Sequence, residues 1–264
     1  MSAGILAQEW GTVRALWWRD LVLFARQRSR LLGALIPPLL IWLSIGAGLS
    51  PSFRPVDDVG YMEYFFPGVV LILLLQVAIS ATMSVIEDRR QGFLQSVLVS
   101  PGSRAAMTLG KVLGSSTVAL LHAVPFLALA PLAGFPWRSI NWPLLLSAAT
   151  LCAIALTALG FVFAWWLDSI QGYHIVMNLL LFPAWILCGA MFPLRDLHPA
   201  MLPFVRWNPL TYAMAAMRRG FYGGGAPAGT LPAGSGPLLE IGVLVVACAA
   251  ALWLAAVVTR RRRG

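Results

Sequence analysis

Gly110 and Lys111 form the pair that closes a phosphate-binding loop, in which backbone amides cradle a phosphate and the lysine reaches its outer oxygens. In that register the first glycine falls on Ala105 and the hydroxyl residue on Val112, so this chain is not expected to hydrolyse ATP itself. His122, His174 and His198 stand far apart with no carboxylate in HExxH register. Cys152, Cys188 and Cys248 all lie inside apolar runs, which offers neither a disulfide framework nor paired zinc ligands. They read as ordinary small hydrophobes, and no metal or cofactor is expected on this chain. Gln76, Asn178 and His122 are the main polar groups within apolar runs. Such groups more commonly tie helices together than carry ions, which disfavours an ion-coupled carrier.

The charge that could grip a partner is concentrated in one segment, Glu87-Asp88-Arg89-Arg90-Gln91-Gly92-Phe93-Leu94-Gln95-Ser96-Val97-Leu98. An acidic pair and a basic pair precede Phe93, Leu94, Val97 and Leu98, whose spacing predicts a short amphipathic helix stopped by Pro101 and Gly102. A soluble partner could hold such a helix. The alternative is a positively charged anchor with a helical hairpin loop.

The elements that position this segment follow from composition. Of the 264 residues 59% are hydrophobic and 11% charged, far below the roughly 25% charged share of soluble domains. The mean hydropathy is +0.79. Crossing a bilayer takes roughly 20 mainly apolar residues. Six segments qualify: about 31–49, 64–86, 106–130, 142–167, 172–191 and 237–259. Lys111 and Glu240 lie near enough to span ends to be expected to snorkel to the interface. Gly110 and Gly114 give a GxxxG spacing that permits close helix approach, a weak signal in a glycine-rich span. The first thirty residues are too charged and too Trp-rich for a secretory signal, so no cleaved leader is expected.

Net charge +9 and pI ≈ 10.5 could suggest nucleic acid, but the basic residues sit in short clusters between apolar runs, so no nucleic-acid partner is expected. Orientation is the better explanation. With the N-terminus inside, Arg14, Arg19, Arg26, Arg28, Arg30, Arg89, Arg90, Arg104, Lys111 and Arg260 to Arg263 are cytoplasmic, 13 of the 19 basic residues. Asp57, Asp58 and Glu63 make the first external loop acidic. Both termini are therefore expected in the cytoplasm. Before the first span, Trp10, Val13, Trp17, Leu21 and Phe24 recur at three- or four-residue steps with Arg19 and Arg26 opposite, predicting an amphipathic helix along the membrane interface. A soluble helix packed on a partner is the alternative.

Between the fifth and sixth spans, residues 192–236 are too apolar for a solvated linker. Asn208 and Pro209 read as a helix N-cap followed by proline at the first helical position, with the helix running to about Phe221 and a glycine-rich turn after it. Short helices of re-entrant type at the outer leaflet are expected.

The run EDRRQGFLQSVLVSPGSRAAMTLGK strongly resembles the loop after the second span of type-two ABC transporter permeases, and RWNPLTYAMAAMRRGF resembles the Asn-Pro-Leu-x-Tyr stretch before that family's last span. The resemblance extends over essentially the whole chain and is nearest to drug-resistance and polysaccharide or nodulation-factor export permeases. It implies an export channel of two permeases, this chain and a second copy or a relative, each docked to a cytoplasmic ATP-binding subunit that carries ATP and Mg. Glu87, Asp88, Arg89, Arg90, Gly92, Phe93, Leu94 and Leu98 would form the coupling element to that subunit, with the helix bearing Trp10, Trp17, Arg19 and Phe24 beside it. Asn208, Pro209 and Tyr212 would form the external helix motif. Spans one and five would flank the pathway, where Gly46, Gly48, Asn178, Phe182 and Trp185 could line it. Phe93 stands where threonine or serine is more usual in the family.

The resulting expectation is an all-α integral membrane protein forming one permease domain over residues 1–264: a cytoplasmic amphipathic helix (1–30), six spans (31–259) and a basic tail (260–264). It would sit in a bacterial-type inner membrane and export an amphipathic, drug-like or lipid-linked molecule. The rival is a membrane scaffold or assembly factor that recruits a soluble partner without transport. An intramembrane enzyme is disfavoured by the lack of a carboxylate cluster.

Overall fold

The computed structural model describes residues 2–26, 28–52, 59–92, 103–227 and 229–261, and in them the chain is a helical bundle. Helix α1 is Ser2–Arg26 and α2 is Arg28–Leu49. The second apolar run forms α3, Tyr61–Thr82, continued after a one-residue break at Met83 by α4, Ser84–Arg90. Then follow α5, Arg104–Leu127, α6, Trp142–Trp166, and α7, Ile170–Trp185, which ends in a π-helical turn, Ile186–Ala190. Two short helices, α8 (Leu202–Trp207) and α9 (Pro209–Phe221), precede α10, Pro237–Arg261. Six of these elements are long and apolar enough to cross a membrane. They coincide with the six expected spans to within a few residues.

Helix starts follow local capping chemistry. Ser103, Asn141, Ser169 and Asn208 each place a side-chain oxygen on a backbone N–H of the first turn, satisfying donors the helix leaves open. Asn208 is doubly engaged, because its amide also donates to the Ala184 carbonyl at 2.6 Å and so ties α9 to α7.

Helix α3 is apolar around its whole circumference and is accordingly the bundle's centre, with Phe65, Leu71, Leu73 and Leu75 fully buried. It packs on α2, α5 and α6, while α10 packs chiefly on α6 and α9. Helix α2 is peripheral: 17% of its apolar window is buried inside the protein against 72% for α3 and α4. A helix that apolar and that uncovered needs lipid or another chain against it. The two ends of the bundle, one bearing α1 and α4 and the other α8 and α9, carry the charged side chains.

Candidate functional site

The expected coupling segment begins at the α1 end, where Asp88 on α4 is the hub of a buried ion network. Arg19 on α1 donates to both carboxylate oxygens of Asp88, at 3.0 and 2.6 Å, and Lys111 on α5 approaches the same carboxylate at 2.6 Å. Lys111 also reaches Asp20 at 3.3 Å. Two cations and two carboxylates balance, as a low-dielectric site requires. Burial raises the Asp20 pKa above the ordinary carboxylate value, against the pull of Lys111, and the bond to Asp88 raises that of Arg19.

The neighbouring arginines reach the other way. Arg89 donates to the carbonyl of Trp165 at 2.7 Å and to that of Leu167, and pairs with the Asp168 carboxylate at 2.9 Å; Arg90 donates to the Asp168 carbonyl at 2.5 Å. Asp88 therefore holds α1 and α5, while Arg89 and Arg90 hold the α6–α7 connection. Helix α1 can come this close because α5 presents glycines to it: a Cβ on Gly110 would lie 3.0 Å from the Val13 carbonyl oxygen, and one on Gly114 would lie 2.7 Å from Asp20 Oδ2. The GxxxG spacing is thus used, between α1 and a span.

Several expectations change here. Lys111 does not snorkel outward; its side chain is 1% exposed and turned inward to Asp88 and Asp20, which lie nearer than water. Glu240 is likewise buried, against Arg219 at 3.0 and 3.1 Å. Arg19 is not on a solvated face opposite an apolar stripe: the buried face of α1 is Val13, Leu16 and Asp20, with Arg19 turned to Asp88, and Trp10 is 65% exposed. Trp17 donates to Thr117 at 3.1 Å, and Phe24 packs against the ring of His122. Glu87 is exposed and stands apart from the network. Gly92 adopts a left-handed backbone, φ +74°, as the helix closes. Phe93, Leu94 and Leu98 lie outside the described residues.

At the opposite end a residue that no periodicity singled out dominates. Arg218 on α9 is fully buried, its guanidinium 4.2 Å from the Tyr64 ring centroid. It donates to the carbonyls of Thr230 and Gly189, both at 3.0 Å, and of Tyr64 at 3.4 Å. Gly189 takes a left-handed backbone, φ +86°, in the π-helical turn, and its carbonyl also accepts from Tyr64 Oη at 2.8 Å. One cation thus joins α3, α9, the π-helical turn and the glycine-rich return. Tyr212 donates to the Arg206 carbonyl at 3.1 Å across the Asn208-Pro209 corner. In sequence the only signal for Arg218 was its place in an arginine pair with Arg219 near the end of the helix that Asn208 and Pro209 begin.

The suggested pathway residues do not form one surface. Gly46 packs on the Met62 side chain, whereas a Cβ on Gly48 would meet nothing within 4 Å. Trp185 is buried, donating to the Gly68 carbonyl at 2.8 Å, so it packs within the protein. Asn178 donates to the His174 carbonyl at 2.9 Å, and Phe182 is exposed beside Trp185.

Six apolar helices of spanning length, clamped at one end by a buried ion network and at the other by a buried arginine, define a multi-pass α-helical membrane protein. The chain belongs to the ABC-2 type transporter family, whose pattern matches residues 12–222. It is 24% identical over 220 residues to "Nodulation protein J" of Rhizobium meliloti (strain 1021), covering 82% of this chain and 83% of that protein. It is also 24% identical over 208 residues to the protein of that name from Rhizobium leguminosarum bv. viciae, covering 77% and 80%. To the "Probable doxorubicin resistance ABC transporter permease protein DrrC" of Mycobacterium tuberculosis (strain ATCC 25618 / H37Rv) it is 24% identical over 215 residues, covering 78% and 75%. The chain is a membrane permease of an ABC exporter, the component that spans the membrane and is not the ATPase.

Proposed function

We propose that this permease pairs with a second copy of itself or a related permease and docks a separate ATP-binding subunit at the α1 end, exporting an amphipathic or lipid-linked molecule. Both termini lie in the cytoplasm of a cell with a bacterial-type inner membrane, and ATP and Mg act on the partner subunit. The observation that carries the reading is the position of Asp88. It belongs to the expected coupling element, just before Phe93, and binds Arg19 and Lys111 together, while Arg89 and Arg90 hold the α6–α7 connection. A push on the segment after Arg90 therefore moves α1, α4, α5 and that connection as one body, which is what transmission of subunit closure to the spans requires. The uncovered faces of α2 and α7, where Ile36, Leu40, Ile175 and Leu179 are exposed, suit the pairing of two permeases.

The test is purification of the tagged protein from native membranes under gentle conditions. A Walker-motif subunit co-eluting at equal stoichiometry with vanadate-sensitive ATPase activity is expected. A clean preparation without ATPase, under conditions that preserve other membrane complexes, would favour a scaffold instead.

A further inference from the structure

Between α2 on one side and α3, α4 and α5 on the other lies a cavity of about 810 Å³, within the range of sites that bury a drug-sized molecule. Its α3–α4 wall is a stripe one helix face wide: Ile72, Gln76, Ser80, Met83 and Glu87 follow at three- and four-residue steps. Gln76 sits within α3, the most deeply buried of the spanning helices among the described residues, where an amide without a partner is costly. Among the described residues, neither the Gln76 amide nor the Glu87 carboxylate makes a hydrogen bond or ion pair.

The facing wall is Gly33, Ala34, Pro37 and Pro38 of α2. Proline has no N–H, so Pro37 and Pro38 withhold from the Gly33 and Ala34 carbonyls the bonds an α-helix would give them. The four residues that create and carry these open acceptors all line the cavity. Its walls therefore offer acceptors: two backbone carbonyls, the Gln76 amide oxygen and a carboxylate. Glu87 is the only lining residue among those described with a formal charge, and none of the described lining residues is a Lys or Arg that would receive a phosphate or carboxylate.

We infer that this cleft is a cargo site for an amphipathic organic cation, with its ammonium head at Glu87 and its apolar body between α2 and α3. From Gln76 to Glu87 the wall runs roughly 16 Å at 1.5 Å per residue, long enough to separate an apolar body from a charged head. The carboxylate receives the head through a charge-assisted hydrogen bond, and the carbonyls freed by the two prolines take its remaining protons. An anionic lipid-linked molecule would meet repulsion here. Within the permease reading, on which the word cargo rests, this gives Glu87 a part in recognition separate from that of Asp88.

The test uses the full chain in nanodiscs of phosphatidylglycerol and follows the fluorescence of a dansyl-tagged long-chain amine and of the dansyl-tagged carboxylic acid of the same chain length. The amine is expected to bind at least about tenfold more tightly than the acid. Glu87→Gln should remove most of that preference, Gln76→Leu should weaken the amine severalfold, and Ala34→Phe, which fills the cleft from the α2 wall, should abolish binding. Leu132→Ala, far from the cleft, should leave it unchanged. Each variant must elute as the wild type does. Equal affinity for amine and acid, or an unchanged preference in a well-folded Glu87→Gln protein, would overturn the inference, as would displacement of the amine by phosphatidylethanolamine. A chain that co-elutes with its ATPase yet binds no amine loses this site alone; one that binds the amine without any ATPase partner keeps the site and loses the transporter reading.

Discussion

Asp88 accepts hydrogen bonds from two cations on two different helices, so its loss removes more than one interaction. Asp88→Asn leaves Lys111 buried with only Asp20 at 3.3 Å, and breaking a buried pair in this way costs about 3–5 kcal/mol. Thermal unfolding in detergent should show a large drop for Asp88→Asn and a smaller one for Asp20→Asn, whose side chain has the single longer contact. The sign of the pH effect follows from the raised Asp20 pKa. The folded protein holds this proton more tightly than the unfolded chain does, so the contribution is complete below the ordinary value of 3.8 and is lost as pH rises through the folded value. Melting curves across that window should fall for wild type and be flatter for Asp20→Asn. At the other end Arg218→Lys keeps the charge but not the planar fork that reaches three carbonyls and covers Tyr64. Faster hydrogen exchange in 223–236 and in the π-helical turn is the expected outcome, with α5 and α6 unchanged.

At the scale of elements, α1 reaches the bundle by lying on the two glycines of α5, where a larger residue has no room. Gly114→Leu should lever α1 away and separate Arg19 from Asp88, a penalty of about 1–3 kcal/mol from overpacking alone. Hydrogen exchange along α1 and cysteine accessibility at position 16 would report it; an α1 as protected as in the wild type would contradict this account of its seat. The Asn208-Pro209 corner needs no distant partner to begin a helix, because cap and proline act within one turn. It was legible in sequence for that reason, and α9 runs from Pro209 to Phe221 as expected.

For the molecule as a whole, the bundle is firmest around α3 and least covered along α2, with the charge held at its two ends. Reversing Arg89 and Arg90 together to glutamate should weaken docking of the ATP-binding subunit by an order of magnitude or more while membrane insertion persists. Pull-down at equal expression, with membrane fractionation as the control, measures both. Undiminished docking would remove this end of the molecule from the coupling assignment.

Sequence alone determined the six spans, the helix at the N-terminal side, the Asn208 cap and the family, because each is written within a stretch of one helix: apolar length, period, cap and motif order. It did not determine what Lys111, Arg19, Glu240 and Arg218 do. Snorkelling to water is the natural expectation for a charge near a span end when the neighbouring helices are unknown, and here the partners lie 69 residues away for Arg19 and 23 and 91 for Lys111. Arg218 finds the Tyr64 carbonyl 154 residues distant. Only the assembled bundle decides which charge is near enough to replace water. For the same reason only the tertiary structure could show that Gln76, Glu87 and two prolines on another helix face a common space.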